Sequence, residues 1–343
     1  MGLKQAPAPA EGKDMRLRLV AAAIAVALPT MGLVATTAPS AGAATSPVLF
    51  GLTDKWKDQI SADNSQLHLT AGVVDLFQQW VATSTKRTTV KNWMSWVRGA
   101  SGAPGGAPML TLQPPTSASL SSINAGHYDA QLRAWAHTIA SWGHPMFVRL
   151  FPEMNQKSHS YSPGYGSNTA AQFRTAWRHV VTLMRNAGAH NIAFIWCPYR
   201  VYSTSTPLKS VWPGASYVNW VGFDAYNYDD SHHAFAWPYA LFSPTVKAIR
   251  SIAPYKPLVI AEVGTRPESQ KPTWISRSVT AAQSVGAKAM LWFDESAEYN
   301  WRLDSAPSPS VINAARTALH SSAITYAGKW SIARIDQLVS TGK

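Results

Sequence analysis

The chain has 343 residues, 46% of them hydrophobic and 14% charged, which is enough for one large domain with a full core. Its net charge of +12 would suit an acidic polymer, but the basic residues are dispersed and form no like-charge run or nucleic-acid motif, which argues against nucleic acid as a partner. Cys197 is the only cysteine, so no intrachain disulfide can form and stability must come from the core.

Residues 1–44 differ in kind from the rest. The segment "GKDMRLRLVAAAIAVALPTMGLVATTAPSAGAA" has a basic start and an apolar run broken by Pro29, and it ends in small residues at Ala41, Ala43 and Ala44. This is the pattern of a secretory signal peptide cleaved after Ala43 or Ala44, with Met15 as a second candidate start. Pro29 and the small-residue end weigh against an uncleaved membrane anchor. Cleavage lowers the charge to +10, because the segment carries four Lys/Arg and two Asp/Glu. The expectation is a secreted, extracellular, monomeric domain over residues 45–343.

Along that domain, short runs rich in Val, Ile, Leu and Phe recur. They are "VLFGLT" (48–53), "VVDLFQQW" (73–80), "PMLTLQP" (108–114), "MFVRLFPE" (146–153), "IAFIWCPY" (192–199), "VNWVGFDAYN" (218–227), "PLVIAEVG" (257–264) and "AKAMLWFDES" (287–296). Helical periodicity separates them, as in "AQLRAWAHTIASW" (130–142) and "AAQFRTAWRHVVTLMRNAG" (170–188). In the second of these, Phe173, Trp177, Val180, Val181 and Met184 share a face, and Gly188 stands where a C-terminal cap belongs. Near-continuous apolar strands alternating with amphipathic helices imply a parallel sheet covered by helices. Eight such units predict a single α/β domain with the (β/α)8 TIM-barrel fold. An open nucleotide-binding sheet would place a Gly-rich loop after an early strand, and "GLTDKW" offers none. The tail "ITYAGKWSIARIDQLVSTGK" reads as a terminal strap.

In this architecture active sites form at the C-terminal ends of the strands. The polar residues there are Asp54, Gln78, Gln113, Arg149, Glu153, Asn155, Tyr199, Asp224, Tyr226, Asn227, Glu262, Asp294 and Glu295. Glu153 and Glu262 stand out because they end long buried runs. Opposed carboxylates across a barrel mouth suit glycoside hydrolysis, where one protonates the leaving oxygen while the other attacks the anomeric carbon or activates water. The competing reading makes each an ion-pair partner of Arg149 or Arg266. Trp56, Trp80, Trp196, Trp212, Tyr226, Trp292 and Trp301 lie at or past strand ends and, as a set, point to stacking on sugar rings. Arg149, Asn155, Tyr226 and Trp292 are the expected substrate contacts around the two acids.

The blocks "RLFPEMN", "FRTAWRHVVTLMRNAGAHNIAFIWCP", "YVNWVGFDAYN", "KPLVIAEVG" and "NWRLD" occur in that order and resemble those of glycoside hydrolase family 26. This is a family of retaining (β/α)8 enzymes that includes β-mannanases, mixed-linkage β-glucanases and β-1,3-xylanases. The resemblance implies Glu153 as acid/base, Glu262 as nucleophile, Tyr226 as a hydrogen-bond donor to the nucleophile, and Trp301 and Arg302 as lining of the subsite under attack. It implies an endo-β-1,4-mannanase-like activity, with a β-glucanase or β-xylanase as the alternative and a non-catalytic sugar-binding barrel as the rival of another class. No cofactor is expected, because two carboxylates supply the proton transfer and the covalent chemistry. A metal-dependent hydrolase built on "SHHAF" (231–235) is disfavoured by the adjacent spacing of its histidines. The chain departs from the family pattern at Pro152, where members usually carry His before the acid/base, and His159 and Tyr161 are the residues expected to compensate.

Overall fold

The computed structural model describes residues 46–53, 55–99, 105–230, 233–266, 268–296, 299–303 and 309–343, so the signal segment expected over residues 1–44 lies outside the described residues, as do Asp54 and His232. The first half runs β1 (Val48–Leu52), α1 (Lys57–Leu67), β2 (Val73–Gln79), α2 (Ser84–Val97), β3 (Ala107–Gln113), α3 (Leu120–Asn124), α4 (Asp129–Trp142) and β4 (Met146–Leu150). The second half runs α5 (Ala170–Asn186), β5 (Ile192–Trp196), β6 (Trp220–Asn227), α6 (Pro238–Ile252), β7 (Leu258–Thr265), α7 (Lys271–Ser284), β8 (Ala287–Trp292), α8 (Pro309–Leu319), β9 (Ile324–Thr325) and α9 (Ile332–Thr341).

Strands β1 to β8 pair in parallel in chain order, and β1 closes on both β8 and β2, so the sheet is a (β/α)8 barrel. All eight apolar runs became strands. The fourth is shorter than expected and stops at Leu150, because Phe151 and Glu153 take left-handed backbone angles (φ 45° and 56°) on either side of Pro152, which has no N–H to continue a ladder. Helix α5 starts on a capping box between Thr169 and Gln172 and stops before Gly188, whose φ of 91° terminates it. Its expected apolar face is entirely buried against the sheet.

The barrel interior is layered. The floor is apolar: Leu49, Val73, Met109, Phe147, Trp220 and Val259 meet Ile335, Leu338 and Val339 of α9. The C-terminal tail therefore plugs the barrel from below, with β9 paired alongside β1 and the Trp220 indole donating to the Val339 carbonyl at 3.0 Å. A second apolar layer fills the space between strands and helices. Above the floor, polar side chains replace the apolar ones, and the mouth is closed in part by an aromatic cluster of Tyr199, Tyr226 and Trp301.

Because Leu338 is buried in that floor, Leu338→Ala should lower the free energy of unfolding by about 2–5 kcal/mol. Urea denaturation monitored by Trp fluorescence measures it; a change within error of zero would mean that α9 is not integral to the barrel.

Candidate active site

The polar layer is set by strand register. Thr111 on β3 lies opposite Arg149 on β4, and Asp224 on β6 lies opposite Glu262 on β7. On β7 the inward residues Val259 and Ala261 are followed at once by Glu262, because the register slips beside both neighbouring strands. Strict alternation would have turned Glu262 outward with Ile260; the irregularity re-aims it into the barrel.

Arg149 occupies the centre of this layer with no solvent exposure. Its Nε donates to Thr111 Oγ1 at 2.8 Å, its Nη1 to both oxygens of Asp224 at 2.8 and 2.9 Å, and its Nη2 to Glu262 Oε1. Asp75 Oδ2 stands 3.7 Å from Nη2 and accepts the Thr111 hydroxyl at 2.8 Å. Burial works to discharge the guanidinium, but Asp224, Glu262 and Asp75 outweigh it and hold its pKa well above the usual arginine value. Cys197 donates its thiol to Asp224 at 3.3 Å, and burial pushes its pKa up, so it stays a thiol.

Glu262 is held from its other side by Tyr226, whose hydroxyl donates to Oε2. Burial and then the Glu262 charge push the tyrosine pKa well up, so that proton stays on Tyr226. Both Glu262 oxygens therefore accept hydrogen bonds, one from Arg149 and one from Tyr226.

Glu153 has a different environment. Its side chain, 20% exposed, accepts from Gln156 Nε2 at 2.8 Å and lies 3.6 Å from His159 Nε2. The strained backbone that ends β4 is fixed by Glu153 N–H to the Cys197 carbonyl at 2.9 Å and by Tyr161 Oη to the Pro152 carbonyl at 2.8 Å. His159 stacks on Tyr161 with centroids 5.1 Å apart and planes 3° from parallel. Pro152 thus forms part of a rigid turn, and histidine reaches the carboxylate from seven residues further on. Burial raises the Glu153 pKa above the ordinary carboxylate range; His159 opposes that shift and the Glu262 charge adds to it.

One oxygen each from Glu153, Asp224 and Glu262 lies within 4.8 Å of the other two, a spacing that could also cradle a cation. Arg149 already supplies positive charge to Asp224 and Glu262. Burial raises the Asp224 pKa well above the ordinary carboxylate range; Arg149 opposes that shift and the Glu262 charge adds to it.

Three of the expected substrate contacts are enclosed. Arg149 is fully enclosed and positions acids rather than facing the groove. Asn155 is also enclosed, and its side chain exchanges hydrogen bonds of 2.9 and 2.7 Å with the Tyr199 carbonyl and amide, latching the β4 loop to the β5 loop. Trp292 is buried and donates its indole to the Trp301 carbonyl at 2.8 Å, so it supports the rim from beneath. Trp80 and Trp196 are likewise in the core, because indoles fill the gap between strands and helices. Trp301 packs on Tyr226 at 4.9 Å, where Gly264 leaves room for its ring, and Arg302 is half-buried beside it. The aromatic residues that line the nearby cavity are tyrosines, with Tyr199 buried, Tyr228 and Tyr299 half-buried and Tyr202 exposed. Tyr199, Tyr202, Tyr228 and Tyr299 line a cavity of about 860 Å3 on the Gln156 side of Glu153. A smaller recess of about 230 Å3, with Gln79, Gln113, Thr116 and Tyr165, opens on the His159 side. Asp224 was visible as a strand-end acid but carried no signal that it would share Arg149 with Glu262.

Residues 107–274 match the family model for glycosyl hydrolase family 26. In sequence the chain is similar to Endoglucanase H of Acetivibrio thermocellus, 27% identical over 272 residues (76% of this chain, 29% of that protein). It also resembles the beta-1,3-xylanase TXYA of a Vibrio species, 28% identical over 145 residues (37% of this chain, 30% of that protein). The chain therefore spans under a third of the length of the curated relatives it matches. Its fold is that of a GH26 β-mannanase from Bacteroides ovatus (TM-score 0.63, 14% identity, covering 84% of this chain and 92% of that one). A modular endo-β-1,4-mannanase from Cellulomonas fimi is also similar in fold (TM-score 0.65, 14% identity, covering 84% and 73%).

His159 lowers the Glu153 pKa, so His159→Leu should raise it further. Carbon NMR of labelled glutamate carboxyls across pH reads this directly, and an unchanged or lower Glu153 midpoint would contradict the arrangement.

Proposed function

The chain belongs to glycosyl hydrolase family 26, and from that premise we propose that it hydrolyses a β-linked polysaccharide by double displacement, with retention at the anomeric carbon. The observation that carries this reading is the approach of Glu153 and Glu262 oxygens to within 4.8 Å, with Glu262 bonded to Arg149 and Tyr226 and the Glu153 pKa raised by burial. Carboxyls of retaining glycosidases sit about 5–5.5 Å apart and those of inverting ones about 6.5–9.5 Å, which leaves room for a water.

In the first step an oxygen of Glu262 attacks the anomeric carbon while Glu153 gives its proton to the glycosidic oxygen. The glycosidic bond breaks, and the sugar is left as an ester on Glu262. Glu153, now ionised, then takes a proton from water; the water oxygen attacks the same carbon, the ester breaks, and Glu262 returns to a carboxylate. Tyr226 and Arg149 hold Glu262 in line before and after each step. Negative charge on Glu262 favours the oxocarbenium character of both transition states.

Recesses on both sides of Glu153 support endo action, with a polymer lying across the mouth. For its backbone we favour β-glucan. The relatives alike in sequence are named endoglucanase and β-1,3-xylanase, whereas the likeness to mannanases is one of fold. β-Mannan, which the sequence blocks suggest, is the second reading. The signal-like first 44 residues support an extracellular place of action, and among the described residues no helix is long and apolar enough to cross a membrane.

Proton NMR of the first product from a panel of β-glucans, β-mannan and β-1,3-xylan should show the β-anomer, and appearance of the α-anomer first would overturn retention. Glu262→Gln should lose activity by on the order of 10⁴-fold or more. Glu153→Gln should lose about 10²–10⁴-fold, and less on substrates with good leaving groups. Because Glu153 must be protonated to act, activity should fall as pH rises through its pKa, on a limb lying above the ordinary carboxylate range. Equal, negligible release by wild type and Glu262→Gln on every polymer would instead indicate a sugar-binding barrel.

A further inference from the structure

The large cavity on the Gln156 side of Glu153 contains, besides its four tyrosines, the side chain of Arg200. The rings are what the flat C–H face of a sugar stacks on. The arginine is harder to account for in a site built only for neutral sugars. Its backbone is fixed just past β5, with the amide donating to the Asp224 carbonyl at 2.8 Å, and its guanidinium lies 5.7 Å from the Tyr199 ring centre. Its Nε is buried and has no hydrogen-bond partner. Arg149 is shared among Asp75, Asp224 and Glu262, whereas Arg200 forms no ion pair among the described residues.

The other charged groups around the cavity do not answer that need. Asp230 lines it but is engaged by His233, through the backbone N–H at 2.8 Å and Nδ1 at 2.9 Å. Arg266 lies over the Tyr299 ring at 4.5 Å and adds a second positive charge to the tyrosine wall. A guanidinium in a cavity wall offers both donors and a charge, and the group that satisfies both is a carboxylate, which an arginine fork can bind through two parallel hydrogen bonds. A sugar hydroxyl would answer the donor but leave the charge unpaired.

We propose that Arg200 receives the carboxylate of a uronic acid residue, so that the polysaccharide cleaved here carries acidic sugars and one of them occupies the tyrosine-walled cavity beside Glu153. The assignment rests on the reading of the chain as a β-glycan hydrolase. It places the charged group on the Arg200 wall and the sugar face on the rings, and it gives the positive charge of the surface a matching partner.

The test uses a matched pair of polymers: a β-glucan, and the same β-glucan with part of its primary hydroxyls oxidised to carboxylates. Wild type, Arg200→Gln and Arg200→Lys are compared by kcat/KM and by affinity electrophoresis in gels holding either polymer, with thermal unfolding as the check on folding. Wild type should prefer the carboxylated polymer by about tenfold, the value of one charge-assisted pair. That preference should fall towards one in Arg200→Gln and be intermediate in Arg200→Lys, which keeps the charge and loses the fork. No preference in wild type, or the same preference in a folded Arg200→Gln, overturns the inference. Cleavage of the neutral polymer without acid preference would leave the hydrolase reading intact. Arg200-dependent binding of the acidic polymer without cleavage of either would sink that reading and keep the site.

Discussion

The guanidinium of Arg149 is the interaction on which the rest of the polar layer depends. It hydrogen-bonds to Thr111 on β3, Asp224 on β6 and Glu262 on β7, and lies close to Asp75 on β2. Without it, three carboxylates would share one enclosed layer and none could stay ionised cheaply. With it, the Glu262 and Asp224 side chains are tied to one enclosed donor. The cost of burying one charge is offset by placing several acids around it.

Two local distortions complete what Arg149 begins. The register slip at Ala261 turns Glu262 inward, and the paired left-handed residues at Phe151 and Glu153 turn the other carboxylate over the mouth. Both are departures from regular backbone at the point where regular backbone would aim a side chain the wrong way. Pro152 belongs to the second distortion: its carbonyl takes the Tyr161 hydroxyl, and the ring beneath His159 is set by that bond. The residue that looked like a missing histidine is part of the turn that brings another histidine to within 3.6 Å of the acid.

The barrel was legible because its strands are buried on both faces and read as apolar runs, and the helices between them carry their own period and caps. The strand ends carrying Glu153 and Glu262 were legible for the same reason. What could not be read was direction. Arg149, Asn155 and Trp292 end or follow strands exactly as groove residues do, but a polar residue there can face a buried partner as well as solvent, and composition does not distinguish the two. The tryptophans misled similarly: their number suggested platforms, yet Trp80, Trp196 and Trp292 are buried in the core, and the aromatic residues that line the cavity are tyrosines. Nor could periodicity place Glu262 inward, since the alternation of β7 predicts the opposite.

The proposed reaction turns on one covalent event, attack by Glu262 on the anomeric carbon. The most direct measurement is intact-protein and peptide mass spectrometry after incubation with a glycoside that carries fluorine beside the anomeric carbon and a good leaving group. Such a sugar forms the ester quickly and releases it slowly. The account predicts a gain of one fluorosugar on the peptide containing Glu262, absent from Glu262→Gln. An enzyme that turns over polysaccharide while the label lands on another residue, or on none, would contradict it.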